Sequence, residues 1–405
     1  MAPSNPQASS EDLVIEIVRD RARFDELEAA WNYLFRRAAQ THQVFQSFNW
    51  LWHWCNHYLD PGLKLSIVAG WRNGRLVMVW PLVMRGRLFR RIAWMGEPVS
   101  QYGDVLLEDG PMRDEDLACG FEAVRTFGAD LLHLRKVRME SHAAHALNLF
   151  GASFAARDAA PYLQLSSAAT FADYERRYPS RLRSSRRRYA RRLQAEGFVT
   201  FEHQSPGASA SALAVQAIRH KKAWVHKHAV IAPALMDPRF EHFFADVSAE
   251  SSRPVDLRVV AVRSAGQVTG VEISLVHKGH LFGHVIAHDP AFERKGVGSV
   301  LAEYAIRSAH EPGFEVYDLL APADAHKAEW ADGSVAVVDF VDALTFVGRV
   351  HASLWVRGLR PYAKRRIDHA PVWMGRLVER LTGWGEPQAD AVAPPDQPSK
   401  VSAAV

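Results

Sequence analysis

Asp289-Pro290-Ala291-Phe292-Glu293-Arg294-Lys295-Gly296-Val297-Gly298 is the stretch that decides how this chain is read. It lies between an apolar run predicted as a strand, Leu281–Ala287, and a helix predicted from about Gly298. Val297, Val300, Leu301, Tyr304 and Ala305 fall on one face of that helix at helical spacing. The first turn of a helix carries N–H groups without intrahelical partners, and the helix dipole favours negative charge there. Glycines at such a turn let a phosphate approach the main chain. Arg294 and Lys295 add positive charge. Spacing alone leaves two readings open: a phosphate loop, or a glycine-rich turn that merely starts a helix.

Working outward, Leu257–Arg263, Val268–Val276 and Leu281–Ala287 read as strands joined at Gly266-Gln267 and Lys278-Gly279. Helices are predicted over Ala210–His226 and Arg239–Ser248, and strands over Phe198–Glu202 and Glu315–Leu320. The first half repeats this order in outline. A strand at Val14–Val18 precedes a helical stripe of Phe24, Leu27, Trp31, Leu34, Phe35 and Ala38. A second stripe has Phe48, Leu51, Trp52, Cys55, Tyr58 and Leu59. Asn73-Gly74, between Lys64–Arg72 and Leu76–Met84, predicts a hairpin. Strands at Arg91–Met95 and Asp104–Leu107 and a helix near Glu115–Phe127 follow. Strand Leu131–Leu134, helix Ser141–Leu149 and strand Tyr162–Leu165 close the half.

Antiparallel strands feeding a strand–helix–strand unit, twice, predict an α+β chain of two related domains. The expected divisions are a disordered N-terminus over 1–12, domains over 13–167 and 168–345, a basic helical extension over 346–386 and a disordered tail over 387–405.

Hydrophobic residues are 48% of the chain and the net charge is only +4, which excludes a mostly disordered protein. Two cysteines, Cys55 and Cys119, exclude a disulfide scaffold and a cysteine-rich zinc site, and no metal is expected. The longest apolar stretch, around Leu76–Met84, falls short of the ~20 residues that span a bilayer. Met1–Asp12 has no apolar signal core, so a soluble, cytoplasmic protein is expected.

The basic residues are clustered. Arg176–Arg192 holds nine arginines in seventeen residues and no acid. Pro179 suits the start of a helix there and Gly197 its end. The run reads as a solvated helix or as a polyanion site facing an interdomain cleft, with a nucleotide-sugar or lipid pyrophosphate ranked above RNA. Met374, Leu377, Val378, Leu381 and Trp384 interleave with Arg376 and Arg380. This predicts a basic amphipathic helix, either peripheral to an anionic membrane surface or packed on the second domain.

In context, the 289–298 stretch resembles the pyrophosphate loop of the GNAT acyltransferases, whose pattern is Gln/Arg-x-x-Gly-x-Gly/Ala. Gly296 and Gly298 match, the first position falls on Glu293, and Arg294 follows one place late. Over about Val14–Phe340 the chain resembles the CelD/BcsL-type GNAT proteins linked to bacterial cellulose and exopolysaccharide synthesis. Phe48-Asn49-Trp50-Leu51-Trp52-His53-Trp54 with Trp80-Pro81-Leu82, the run Ser180–Arg187, and Leu281 through Trp330 carry the resemblance. That family is similar in layout to the Fem-type aminoacyl transferases, which have two GNAT-like domains. Where the family has a pattern close to Asp-Phe-Leu-Arg-Gly-Asp-x-x-Tyr-Lys, this chain has Asp318-Leu319-Leu320-Ala321-Pro322-Ala323-Asp324-Ala325-His326-Lys327. The Arg-Gly-Asp portion is replaced, tyrosine becomes His326, and the lysine is kept as Lys327.

The resemblance implies an acyl-CoA donor held by Arg294, Lys295, Gly296, Val297 and Gly298. It also implies an amine or hydroxyl acceptor, a small molecule or a phosphate-bearing glycan or lipid. The first domain would then be a degenerate copy. An aminoacyl-tRNA donor and a non-catalytic module of a polysaccharide synthase are the alternatives; DNA is not expected.

Acyl transfer requires a proton acceptor and a donor for the developing oxyanion. His284, read as sharing a strand face with Phe282, Ile286 and His288, is a candidate base or else a hydrogen-bonded structural histidine. Glu272 is a candidate base of raised pKa or else a solvated strand residue. Lys327 is a candidate for charge stabilisation or else a surface lysine. Arg183, Arg186, Arg187 and His326 complete the candidates, as substrate contacts.

Overall fold

The computed structural model describes residues 13–253 and 255–354. In chain order, the first half runs β1 (Val14–Val18), α1 (Arg21–Glu26), α2 (Glu28–Ala38), α3 (Phe48–Tyr58), β2 (Leu63–Leu65), β3 (Ile67–Arg72), β4 (Arg75–Trp80) and β5 (Leu82–Arg85). It continues with β6 (Arg91–Trp94), β7 (Leu106–Leu107), α4 (Arg113–Arg125), β8 (Leu131–Arg138), α5 (His142–Leu149) and β9 (Ser153–Gln164). Then come α6 (Phe171–Arg176), α7 (Ser180–Gln194), β10 (Val199–Gln204), α8 (Ala208–Lys227), α9 (Pro233–Met236) and α10 (Pro238–Ala249). The chain closes with β11 (Leu257–Ser264), β12 (Gln267–His277), β13 (His280–His288), α11 (Val297–His310), β14 (Val316–Asp318), α12 (Ala325–Ala328), β15 (Gly333–Ala343) and α13 (Phe346–His351).

Local chemistry explains the boundaries. The Asp20 side chain caps α1 by accepting from the Arg23 N–H at 2.8 Å. Asn73 and Gly74 both have positive φ, as a tight hairpin turn demands. The flanking strands are not continuous, however. They break at Ser66 and Pro81, so that β3 and β4 join a four-stranded sheet while β2 and β5 join a larger one. Proline lacks the N–H that an unbroken ladder needs.

The larger sheet has eleven strands in the order β10-β11-β12-β13-β14-β9-β15-β8-β6-β5-β2. Only β13–β14 and β6–β8 pair in parallel; the other pairs are antiparallel. This is the α+β architecture expected, a mixed sheet flanked by helices. Strand β15 was not foreseen. It lies between β9 and β8 and pairs with both. Strand β9, from the first half, pairs in turn with β14 of the second. The sheet is therefore continuous across the expected division at 167/168.

One apolar core lies on the sheet face covered by α3, α8 and α10, where Trp50 meets Phe243 and Phe244. A second, on the opposite face, packs α7 and α11 against Val260, Leu281 and Tyr317. A third fills the first half beneath α4 and α5. Most of the amphipathic extension expected over 346–386, and both termini expected to be disordered, lie outside the described residues. Among the described residues no helix is long and apolar enough to cross a membrane.

Candidate active site

The strands β13 and β14 pair at only three positions, His280↔Val316, Leu281↔Tyr317 and Phe282↔Asp318. Beyond Phe282, β13 continues to His288, whereas the chain leaves β14 after Asp318. The two diverge into a notch, with α11 starting at its mouth. Gly296 has φ +79° and precedes α11. A Cβ there would meet the Tyr189 ring of α7 at 2.3 Å, so glycine is required by both conformation and contact. A Cβ on Gly298 would meet only His288, at 3.4 Å, so this position is open on the helix face. The first turn of α11 carries no acid.

The charged residues of the loop are placed unequally. The Glu293 carboxylate turns away onto α8, accepting from Lys227 Nζ at 2.6 Å and His228 at 3.0 Å. The Lys227 hydrogen bond, with the nearby cations, holds its pKa below the usual carboxylate range. Lys295 pairs with Glu196. Arg294 is exposed.

A bulge changes the reading of β13. Ile273 pairs with Val285 and Ser274 with Gly283, so His284 is skipped in the register. The alternation that would align Phe282, His284, Ile286 and His288 is broken there. His284 packs against Phe45, Trp50 and Phe244, on the side of α3 and α10, whereas His288 borders Gly298 at α11. The His284 Nε2 contacts the Val99 carbonyl oxygen at 2.5 Å, and Nδ1 has no partner. Burial pushes its pKa down to about 4, so the ring is neutral at pH 7.

Glu272 is not solvated. It is fully buried, accepting from Tyr317 Oη at 2.5 Å and from Ser274 Oγ. Burial raises its pKa, and Oε2 has no partner. The Tyr317 ring crosses β13 over Gly283, where a Cβ would come within 2.8 Å of it. Glu272 thus ties β14 to β12 across a glycine. Lys327 donates to the carbonyls of Leu320 at 2.7 Å and Pro322 at 2.9 Å, bracing the loop after β14. His326, beside it on α12, is exposed.

Helix α7 packs on α11 and through Tyr189 on the loop. Arg186 is buried, its guanidinium 4.0 Å from the Tyr178 ring centroid and 3.4 Å from that of Trp330. Its aromatic packing distinguishes it from Arg187, Arg188, Arg191 and Arg192, which are exposed. Arg183 is half-buried, with Nε lacking an acceptor.

Several residues at the notch were not anticipated. Tyr102 donates to Asp318 at 2.9 Å and Arg138 donates to it at 2.5 Å, joining the first half to the end of β14. Lys136 and Lys221 also reach the notch. Lys136 could be found from no motif, since it is one of three basic residues in the run Arg135–Arg138 at the end of β8; Lys221 is one basic residue among several on α8. A separate cavity of about 290 Å³ opens at the start of α5, beside Arg113, His142 and His145, and none of the expected site residues lines it. Among the described residues no three His, Cys, Asp or Glu side chains gather as a metal site.

Residues 180–328 match the family described as Acetyltransferase (GNAT) domain. No curated protein sequence matches the chain significantly. Among solved structures, the chain is similar to FemX at 9% identity, over 83% of this chain and 99% of that one, with a TM-score of 0.55. It is similar to a conserved protein of unknown function from Bacteroides thetaiotaomicron VPI-5482 at 9% identity, over 81% and 100%, with a TM-score of 0.51. A third likeness, to the C-terminal domain of a putative lysylphosphatidylglycerol synthetase from Agrobacterium fabrum, has 13% identity over 82% and 95%, with a TM-score of 0.49. The first two establish a shared fold over most of the chain. The second half carries a GNAT-type acyltransferase domain.

Proposed function

We propose that the protein transfers an acyl group from acyl-CoA to an amine or hydroxyl of an acceptor in envelope or exopolysaccharide metabolism. The observation that carries this reading is the notch itself: two parallel strands that part after three pairs, with an acid-free helix N-terminus at the mouth. The donor's pyrophosphate would accept from the N–H groups of Val297 and Gly298, with Arg294 facing solvent beside it. Its acyl arm would lie along the unpaired edge of β13, bringing the thioester toward His284. The acceptor would enter from the first half, which serves as a degenerate partner. There the acceptor nitrogen or oxygen attacks the thioester carbon, the carbon–sulfur bond breaks, and the sulfur leaves as the CoA thiol after gaining a proton. His284 Nδ1, without a partner, would take the proton that the acceptor loses, and Lys327 would supply positive charge for the oxyanion.

A second reading, aminoacyl transfer from an aminoacyl-tRNA, is favoured by the exposed arginines of α7 beside the same loop and by the likeness to FemX in fold. Calorimetric titration of the protein with acetyl-CoA, longer acyl-CoAs and tRNA separates the two. Binding of acyl-CoA, lost in Gly298→Val with the circular dichroism unchanged, is the expected result. Binding of tRNA alone would replace the first reading with the second, and binding of neither would favour a non-catalytic module.

A further inference from the structure

Three lysines from three separate elements lie around the notch. Lys221 of α8 donates to the Ile286 carbonyl on β13, at 3.2 Å. Lys327 of α12 donates to Leu320 and Pro322 on the opposite arm. Lys136 of β8, from the first half, donates to Gln101 Oε1 at 2.5 Å. Every one of these acceptors is a neutral oxygen. All three lysines are half-buried, and burial lowers the pKa of each. Lys327 lies within electrostatic reach of Lys136 and Lys221, and also of Asp324, Asp318 and Asp158; Asp324 is within reach of Lys221 as well.

The nearby carboxylates are committed elsewhere. Asp318 takes Tyr102 and Arg138. Asp339 takes the Lys136 main-chain N–H at 2.9 Å and lies 3.6 Å from Arg135. Glu97 faces Arg135 at 3.9 Å. Asp324 caps α12 through the Lys327 N–H. Lys136 moreover has φ +55°, a left-handed conformation that a lysine adopts at a cost. Half-buried ammonium groups whose own hydrogen bonds all go to neutral oxygens are stabilised further when an anion joins them. A neutral thioester arm would not require this charge.

We propose that the inner part of the notch recognises an anionic group, a carboxylate or phosphate, held by the ammonium groups of Lys136, Lys221 and Lys327. The group belongs either to the acyl portion of the donor or to the acceptor. This rests on the placement of the acyl arm in the notch, but its test does not depend on acyl-CoA binding.

The probes are methyl phosphate, titrated into the protein alone and with saturating CoA, and acetyl-CoA against succinyl-CoA. The variants are Lys136→Met and the charge-retaining Lys136→Arg. An anionic acyl group predicts succinyl-CoA binding at least about tenfold tighter than acetyl-CoA, the size of one charge-assisted hydrogen bond. An anionic acceptor predicts equal binding of the two thioesters and methyl phosphate binding to the CoA-loaded protein. In the first case Lys136→Met abolishes the succinyl-CoA preference and in the second the methyl phosphate binding, while Lys136→Arg retains much of either. The pKa of Lys136, about 8, is set by burial, by Arg135 and Lys327, and against these by Glu97 and Asp339. Anion binding therefore weakens as pH rises above about 8. Acetyl-CoA binding with neither anion effect overturns this proposal and leaves the acyltransferase reading intact. Methyl phosphate binding that depends on Lys136, without any CoA binding, supports the anion site and removes the acyl-CoA reading. Methyl phosphate binding insensitive to Lys136→Met overturns the assignment of the site.

Discussion

Each half of the molecule contains a helix on the connection between two strands that pair in parallel, α4 between β6 and β8 and α11 between β13 and β14, and the two helix N-termini differ in charge. Helix α4 opens with Asp114, Glu115 and Asp116 in its first turn. Helix α11 opens with Val297, Gly298 and Ser299 and has no acid there. The connection into α4 runs over residues 95–112 and buries Val99 and Tyr102; the connection into α11 runs only over 289–296. Three carboxylates neutralise a helix dipole and repel phosphate, while a bare first turn leaves the N–H groups and dipole available. A crossover helix between parallel strands is thus closed to an anion in the first half, where β7 also interrupts the connection, and open to it in the second.

The largest expected effect comes from making the open terminus resemble the closed one. Gly298→Asp places a carboxylate in the first turn of α11, and acyl-CoA affinity should fall at least about a hundredfold, roughly 3 kcal/mol. Calorimetry reads the affinity, and circular dichroism should show an unchanged fold. Undiminished binding would erase the distinction between the two termini.

Gly296→Ala should act on stability. Its φ of +79° and the contact with Tyr189 together predict a loss of about 1–3 kcal/mol in urea denaturation. Full stability would mean that α7 can withdraw from the loop.

The arginines of α7 sharpen the comparison further. Arg186→Ala should cost about 1–2 kcal/mol, since it removes a cation from between two aromatic rings. Arg187→Gln, on an exposed side chain, should stay within about 0.5 kcal/mol. Equal losses would deny Arg186 its packing role.

Lys136→Met acts on the ligand-free protein through pH. Lys136 titrates near 8 when folded and near 10.5 when free, so the folded state binds fewer protons between those values. Its charged form costs stability below about pH 8, and that cost is relieved as pH rises toward 10.5. The variant should therefore melt about 2–4 °C higher at pH 7, with the difference shrinking at pH 10. A lower Tm at pH 7 would mean that the ammonium group is already balanced without an anion.

Periodicity and turn chemistry made most of the elements legible. The Asn73-Gly74 hairpin, the Gly296 turn and the face of α11 can all be read from neighbouring residues. Strand β15 could not, because its partners are about 200 residues away in sequence and nothing local marks them. The bulge at His284 was hidden for a similar reason: it exists only in the register with β12. The glycine loop was visible as a motif. Glu272 was singled out by residue type, but its burial follows from Tyr317 crossing Gly283. The lysine cluster escaped because three elements bring its members together, and Arg186 was counted with its neighbours although Tyr178 and Trp330 enclose it.

The pairing of β15 with β8 and β9 has a consequence for synthesis. During translation β8 emerges long before its partner β15, which spans residues 333–343. Until then the first half keeps the β8 edge uncovered, and β9 awaits β14 as well. Exposed strand edges invite pairing with other chains. The nascent first half would thus depend on shielding by the ribosome or a chaperone, and a fragment ending at residue 167 should aggregate when expressed alone.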